Sequence, residues 1–181
     1  KTYLNTFLTN EAKRIFNERV KVCIPGRFSV YNSLAAISAV SKFEVDSEKL
    51  KEALLNVRVP GRSELVDNKK GLTIMIDYAH SPESLQSILS AVKSYTRGRV
   101  IVVFGCGGDR DTMKRPMMGE ISGRLAGFTV ITSDNPRSEK PEDIVSQIEE
   151  GIKKTTVKNI KTILAFWTIK NYIRKNISSD D

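Results

Sequence analysis

The stretch "FGCGGDRDTMKRP", Phe104 to Pro116, places three glycines beside Asp109, Arg110, Asp111, Lys114 and Arg115. Two further stretches are polar in the same way: "DYAHSP", Asp77 to Pro82, and "SDNPRSEKP", Ser133 to Pro141. Guanidinium and ammonium groups at such density suit carboxylates and phosphates, and arginine can hold a carboxylate through two parallel hydrogen bonds. Aspartates can accept from hydroxyl groups, and glycines let the backbone turn sharply or approach a ligand closely. Nucleophilic chemistry is poorly provided for. His80 is the only histidine, and no Ser-His-Asp set can be assembled around it. Cys23 and Cys106 stand far apart and make no metal-spaced pair. The "GCGGDRD" spacing is neither GxGxxG nor GxxxxGK[ST].

Each stretch follows a run that reads as a strand: "LTIMIDY", "RVIVVFG" and "FTVITS". Helices are expected between them. "HSPESLQSILSAVKSY" has Ser81 as cap, Pro82 at its first position and Leu85, Ile88, Leu89 and Val92 on one face. "KRPMMGEISGRLAG" carries Met117, Met118, Ile121 and Leu125, and "KPEDIVSQIEEGIKK" has Pro141 and acidic residues in its first turn. A short strand "IKTIL" and a last helix, about Phe166 to Asn176, complete the series. Strand–helix alternation from about Leu72 onward predicts an α/β fold, a mostly parallel sheet with helices on both faces. The carboxyl ends of parallel strands share one edge, where ligands bind in open α/β sheets. The three polar stretches are therefore expected to converge there.

Upstream, "PGR" occurs at Pro25–Arg27 and at Pro60–Arg62. Two helices are expected between them. One runs from about Ser29 to Phe43, with Val30, Leu34, Ile37 and Ala35/Ala39 on one side, and the other follows Asp46 with Leu50, Ala53, Leu54 and Val57 aligned. "SELVDN" and "LTIMIDY", separated by "KKG", have the form of a hairpin.

The 181 residues suffice for one domain with part of another, and the 40% hydrophobic content is ordinary for a globular chain. No apolar run is long enough to span a bilayer, and no membrane partner is expected. The formal charge of +8 raises nucleic acid as a partner. The lysines are spread out and not interleaved with aromatics, so a solvated basic surface or a site for small anions is the better reading. Two widely spaced cysteines suit a reducing, cytoplasmic compartment.

The polar stretches together resemble the Mur ligases, the ATP-dependent amide-forming enzymes of peptidoglycan synthesis. "VPGRSELVDN", "IDYAHSPESL", "VFGCGGDRDTMKRPMMGEI" and "ITSDNPRSEKPEDI" are similar, in order and spacing, to the family's C-terminal domain. "PGRFSVYNSLAAISA" is similar to the end of its central ATPase domain. The resemblance implies a Rossmann-like C-terminal domain over 60–181, preceded by a remnant of the central domain over 1–59. It implies ATP and Mg²⁺ as cofactors, and meso-diaminopimelate and a UDP-N-acetylmuramoyl dipeptide as substrates. Asn32, Arg62 and Asp77 match nucleotide-contacting positions, and His80 and Lys114 match positions near the phosphates, where catalysis occurs. Arg110, Asp134, Asn135 and Arg137 match the pocket for the incoming amino acid. "DNPR", with arginine last, is the form associated with meso-diaminopimelate, whose distal carboxylate a guanidinium can grip.

The chain also departs from the family pattern. It carries no GxxxxGK[ST] loop, no UDP-binding domain and none of the family's Mg²⁺ ligands, so no metal site is expected in it. "LAFWTIKNYI" stands where relatives carry an Asp-Arg pair, and the sequence ends before a "GKGHE"-like segment. The expectation is a fragment or reduced relative that does not ligate alone, with Phe166 and Trp167 as core residues. Residues 1–24 match poorly. A non-catalytic binding or partner module derived from such a ligase is the alternative reading. A dinucleotide-dependent oxidoreductase is disfavoured for want of a GxGxxG turn.

Overall fold

The computed structural model describes residues 2–3, 20–24, 26–40, 43, 45–155 and, as backbone, 160–163. Contacts divide the chain into two compact units, Lys1–Tyr78 and Ala79–Asp181. The polar stretch that begins at Asp77 straddles this division. The domain boundary expected from the sequence lies earlier, at residues 59 and 60.

In the first unit, β1 (Thr2–Tyr3) pairs antiparallel with β2 (Lys21–Val22), and two helices follow, α1 (Arg27–Val40) and α2 (Ser47–Asn56). Asp46 caps α2 as its sequence position predicts, its carboxylate accepting from the Lys49 amide at 2.9 Å. Val20, Val22, Val30, Ile37 and Leu54 form a small core, with Leu34 and Leu50 packed against it. Ala35 and Ala39, expected on the same side, are exposed. The chain then forms the hairpin β3 (Glu64–Val66) and β4 (Ile74–Ile76), in the register Glu64↔Ile76, Leu65↔Met75, Val66↔Ile74. Asn68 holds the turn, its side-chain oxygen accepting from the Lys70 and Leu72 amides, and Gly71 takes φ +68°.

The hairpin is the one the sequence predicts, with β4 paired to β3 in a two-stranded sheet. Ile74 and Ile76 of its apolar run "TIMI" are exposed.

The second unit is built as α3 (Pro82–Tyr95), β5 (Ile101–Phe104), α4 (Lys114–Leu125), β6 (Phe128–Thr132), α5 (Pro141–Lys153) and β7 (Ile160–Ile163). The strands run parallel in the order β5-β6-β7, with Val102 opposite Thr129 and Val130 opposite Lys161. α3 starts where the sequence placed it. Ser81 and Ser84 exchange side-chain and backbone hydrogen bonds in a capping box, and Pro82 opens the first turn. One core joins Leu85 and Leu89 of α3, Phe104, Cys106, Met118 and Ile121 near α4, Ile131 of β6, and Ile144, Val145, Ile148 and Ile152 of α5. Each of these large side chains contributes about 1.5–3 kcal/mol on burial.

β6 is buried on both faces, as a central parallel strand should be: Thr129, Val130, Ile131 and Thr132 are all covered. β5 is not, since Ile101 and Val103 are exposed among the described residues. Met118 is buried while Met117 beside it is half exposed, and the inner face of α4 includes Gly119, Ser122 and Gly123. Small residues stand there because α5 approaches the α4 backbone closely at this point. The helix expected over 166–176, the core reading of Phe166 and Trp167, and residues 4–19 lie outside the described residues.

Candidate functional site

β5 and β6 are adjacent and parallel, so the segments after Phe104 and Thr132 leave the sheet at the same edge. Their backbones dock directly. The Gly108 amide donates to the Asn135 carbonyl at 2.9 Å. A Cβ built on Gly108 would lie 1.8 Å from the Pro136 carbonyl oxygen, and one on Gly105 would lie 2.3 Å from the Thr132 oxygen. Glycine is required at these two positions because backbone meets backbone.

Side chains then tie the two loops together. Asp109 stands in the left-handed region at φ +51°, which an aspartate tolerates better than most residues. Its carboxylate accepts from the Ser138 hydroxyl at 2.6 Å and the Ser138 amide at 3.2 Å. The Asp109 amide in turn donates to Glu139 Oε1 at 2.6 Å. Glu139 receives Arg115 through both carboxylate oxygens, at 2.7 and 2.8 Å. The Arg115 side chain is fully buried, and it also donates to Gln147 Oε1 at 2.8 Å and to the Gly107 carbonyl at 3.2 Å.

Arg137 also stands in the left-handed region, at φ +50°. That conformation costs a long side chain about 1–2 kcal/mol. It is held there by its own amide donating to the Asn135 side-chain oxygen and by Nη1 donating to the Gly108 carbonyl. A guanidinium has five N–H donors, so this anchor fixes the group and leaves capacity for an anion. The same space near Gly107 is bounded by Arg137 Nη1 and by the Cγ of Arg110, 3.0 and 3.9 Å from where a Gly107 Cβ would stand. Arg110 and Arg137 therefore share one rim. Asp134 and Asn135 lie exposed on the same β6 loop.

Lys114 opens α4, and its Nζ donates to the His80 carbonyl at 3.0 Å. His80 and Lys114 are thus brought together in the second unit. The other expected residues lie in the first. Asp77 accepts from the Ser63 amide at 2.8 Å and the Ser63 hydroxyl at 3.0 Å, and Arg62 lies over the Tyr78 ring at 4.8 Å. Asn32 is exposed on α1. Cys106 is buried beneath the loop with Sγ 3.8 Å from Met118 Sδ, and burial raises its thiol pKa, which disfavours the reactive thiolate.

Sequence reading missed Arg115, Glu139 and Ser138 as organisers. The available signal was the mixed sign of charge within both loops. Two loops that each carry acids and bases can neutralise one another, which single-sign ligand loops cannot.

The Glu139 carboxyl is pulled down to about 2, chiefly by the Arg115 hydrogen bonds and then by the Asp109 amide. Because the folded value lies below the ordinary value of 4.5, the stabilisation is present above pH 4.5 and is lost as pH falls toward 2. A carbon-detected NMR titration of the Glu139 carboxyl is expected to show its midpoint well below the ordinary glutamate value of 4.5. A midpoint in the ordinary range would contradict the pairing.

The second unit is a parallel α/β body with a glycine-lined rim at its strand ends that carries Arg110 and Arg137, the edge at which open α/β sheets bind ligands. The family model "Mur ligase, glutamate ligase domain" matches residues 61–178. The chain belongs to the Mur ligase family. It is 51% identical over 138 residues to the UDP-N-acetylmuramoyl-L-alanyl-D-glutamate–2,6-diaminopimelate ligase of Caldanaerobacter subterraneus subsp. tengcongensis, a match covering 76% of this chain and 29% of that protein. It is 48% identical over 143 residues to ligase 1 of the same name from Clostridium acetobutylicum, covering 77% of this chain and 30% of the relative. A solved structure of a UDP-N-acetylmuramoyl-L-alanyl-D-glutamate–2,6-diaminopimelate ligase superposes with a TM-score of 0.60 at 30% identity, covering 88% of this chain and 32% of that one. The chain thus spans under a third of the length of the curated relatives it matches.

Proposed function

We propose that this chain supplies the amino-acid-binding part of an ATP-dependent ligase that joins meso-diaminopimelate to UDP-N-acetylmuramoyl-L-Ala-D-Glu in the cytoplasm during peptidoglycan synthesis. The observation that carries this reading is the rim shared by Arg110 and Arg137, with Arg137 anchored through the Gly108 carbonyl. The relatives' names supply the substrate class.

Diaminopimelate presents two carboxylates and two ammonium groups. Arg137, already immobilised, pairs with the distal carboxylate at little further entropic cost. Arg110 and the polar groups of Asp134 and Asn135 orient the remainder, so that one free amine is turned toward the dipeptide's D-glutamate carboxylate. That carboxylate is activated as an acyl phosphate, which the amine attacks with release of phosphate. The role of the protein groups is to place the amine and offset charge, with no side-chain nucleophile.

For ATP, the residues fit in kind. Asp77, held by Ser63, suits a ribose hydroxyl, Asn32 and Arg62 would contact the nucleotide, and Lys114 beside His80 suits phosphate oxygens. ATP supplies the phosphoryl group that activates the carboxylate. Mg²⁺ would be held chiefly by ligands outside this chain; among the described residues no group of three His, Cys, Asp or Glu is placed to hold a metal ion. In the domain reading, 1–59 is a central-domain remnant and 60–181 the C-terminal domain, and the isolated chain does not ligate.

Calorimetric titration of the chain with meso-diaminopimelate tests the proposal. Saturable binding is expected, weakened at least about 30-fold in Arg137→Ala, the consequence of leaving a carboxylate without its cationic partner. Absence of saturation at millimolar ligand would count against it. Retained binding of a partner protein with no response to the amino acid would favour the non-catalytic module instead.

A further inference from the structure

We infer that Arg115 and Glu139 are positioning residues: a buried clamp that sets the relative placement of the two loops bearing Arg110 and Arg137, and so sets the grip on the amino acid. Neither needs to touch a ligand. The inference rests on the proposed substrate only in its binding arm.

Four elements meet at the Arg115 guanidinium. It starts from the first turn of α4, reaches Gln147 on α5, takes both oxygens of Glu139 on the β6 loop and reaches the Gly107 carbonyl on the β5 loop. Glu139 passes the constraint onward through the Asp109 amide, and Asp109 closes the circuit on Ser138, the residue before Glu139. The circuit encloses the two backbone links that define the rim, Gly108 to Asn135 and Arg137 to Gly108. A planar bidentate pair fixes direction as well as distance, so a small rotation of Glu139 would move Asp109 and, with it, Arg110.

The composition of the clamp argues for positioning over stability. Arg115 Nε is buried without a hydrogen-bond partner, a cost that an apolar side chain of similar volume would avoid. An ionic pair whose buried guanidinium is left with an orphaned donor is better explained by the orientation it imposes on the loops. Binding geometry built this way depends on supporting residues behind the contacting ones.

The test uses the full 181-residue chain and two variants, Glu139→Gln and Arg115→Lys. Glu139 is partly exposed, so Glu139→Gln alters charge on the rim without opening the core. Amide hydrogen exchange is read by NMR without ligand. In both variants, exchange at Gly108 and Asp109 is expected to quicken at least about tenfold, while Ile148 and Ile152 on α5 keep their protection. Binding of meso-diaminopimelate is expected to weaken about tenfold in both, with Arg115→Lys giving no rescue because an ammonium cannot reproduce the fork. Unchanged exchange at Gly108 in both variants overturns the clamp, whatever the ligand does. Faster exchange with unchanged ligand affinity also overturns the positioning role. Faster exchange in a chain whose wild type binds no diaminopimelate supports the clamp and overturns the substrate reading alone.

Discussion

Gly151→Ala is expected to destabilise the second unit by about 3 kcal/mol, although alanine favours helices over glycine by about 1 kcal/mol. The reason is the crossing of α4 and α5. A Cβ on Gly151 would stand 1.8 Å from the Pro116 carbonyl oxygen, and one on Gly119 would stand 2.0 Å from the Ile148 oxygen. The two glycines are reciprocal: each faces the other helix's backbone, which cannot retreat as a flexible side chain could. Separating the helices would open the packing of Met118 and Ile121 against Ile144, Ile148 and Ile152. Thermal denaturation followed by circular dichroism should show a fall in midpoint of about 10–20 °C. Gly98→Ala is the control, since nothing lies within 4 Å of that position, and it should be neutral or slightly stabilising. A Gly151→Ala protein more stable than wild type would refute the packing described for α4 and α5.

Gly108→Ala is expected to have the largest effect on binding. The added methyl would occupy the space of the Pro136 carbonyl, 1.8 Å away, so the β5 and β6 loops must part. The Gly108–Asn135 hydrogen bond and the Arg137 anchor are both lost with that separation. Affinity for meso-diaminopimelate should fall about 100-fold, the loss of roughly two charge-assisted contacts. Because the change lies at the edge of the fold, stability should fall by only about 1–3 kcal/mol. Calorimetry and denaturation on one preparation separate the two effects. Full affinity in Gly108→Ala would mean that the loops need not touch for the site to form.

What the sequence made legible follows from local rules. Ser81 and Pro82 announce the start of α3, Asp46 that of α2, and strand–helix alternation, read from about Leu72 onward, predicts the parallel neighbours seen in β5, β6 and β7. Parallel direction alone then brings the loops of Arg110 and Arg137 to one edge. What stayed illegible depends on pairings that no local pattern encodes. Arg115 has the composition of a rim residue and is the largest fully buried side chain among the described residues, because Glu139 lies 24 positions away in sequence yet adjacent in space. Met117 and Met118 are chemically equal, and only the close approach of α5 decides which faces inward. Hydrophobic periodicity measures apolar size, so it overlooks a helix face on which glycines are the contact.

The account centres on a guanidinium held ready for the distal carboxylate of a diamino-diacid. The direct measurement compares meso-diaminopimelate with L-lysine, which lacks that carboxylate, on wild-type and Arg137→Ala chains. The account predicts that the wild-type chain prefers meso-diaminopimelate by at least about 30-fold and that Arg137→Ala binds the two ligands alike. Equal affinities in the wild-type chain, or a preference undiminished by Arg137→Ala, would contradict it.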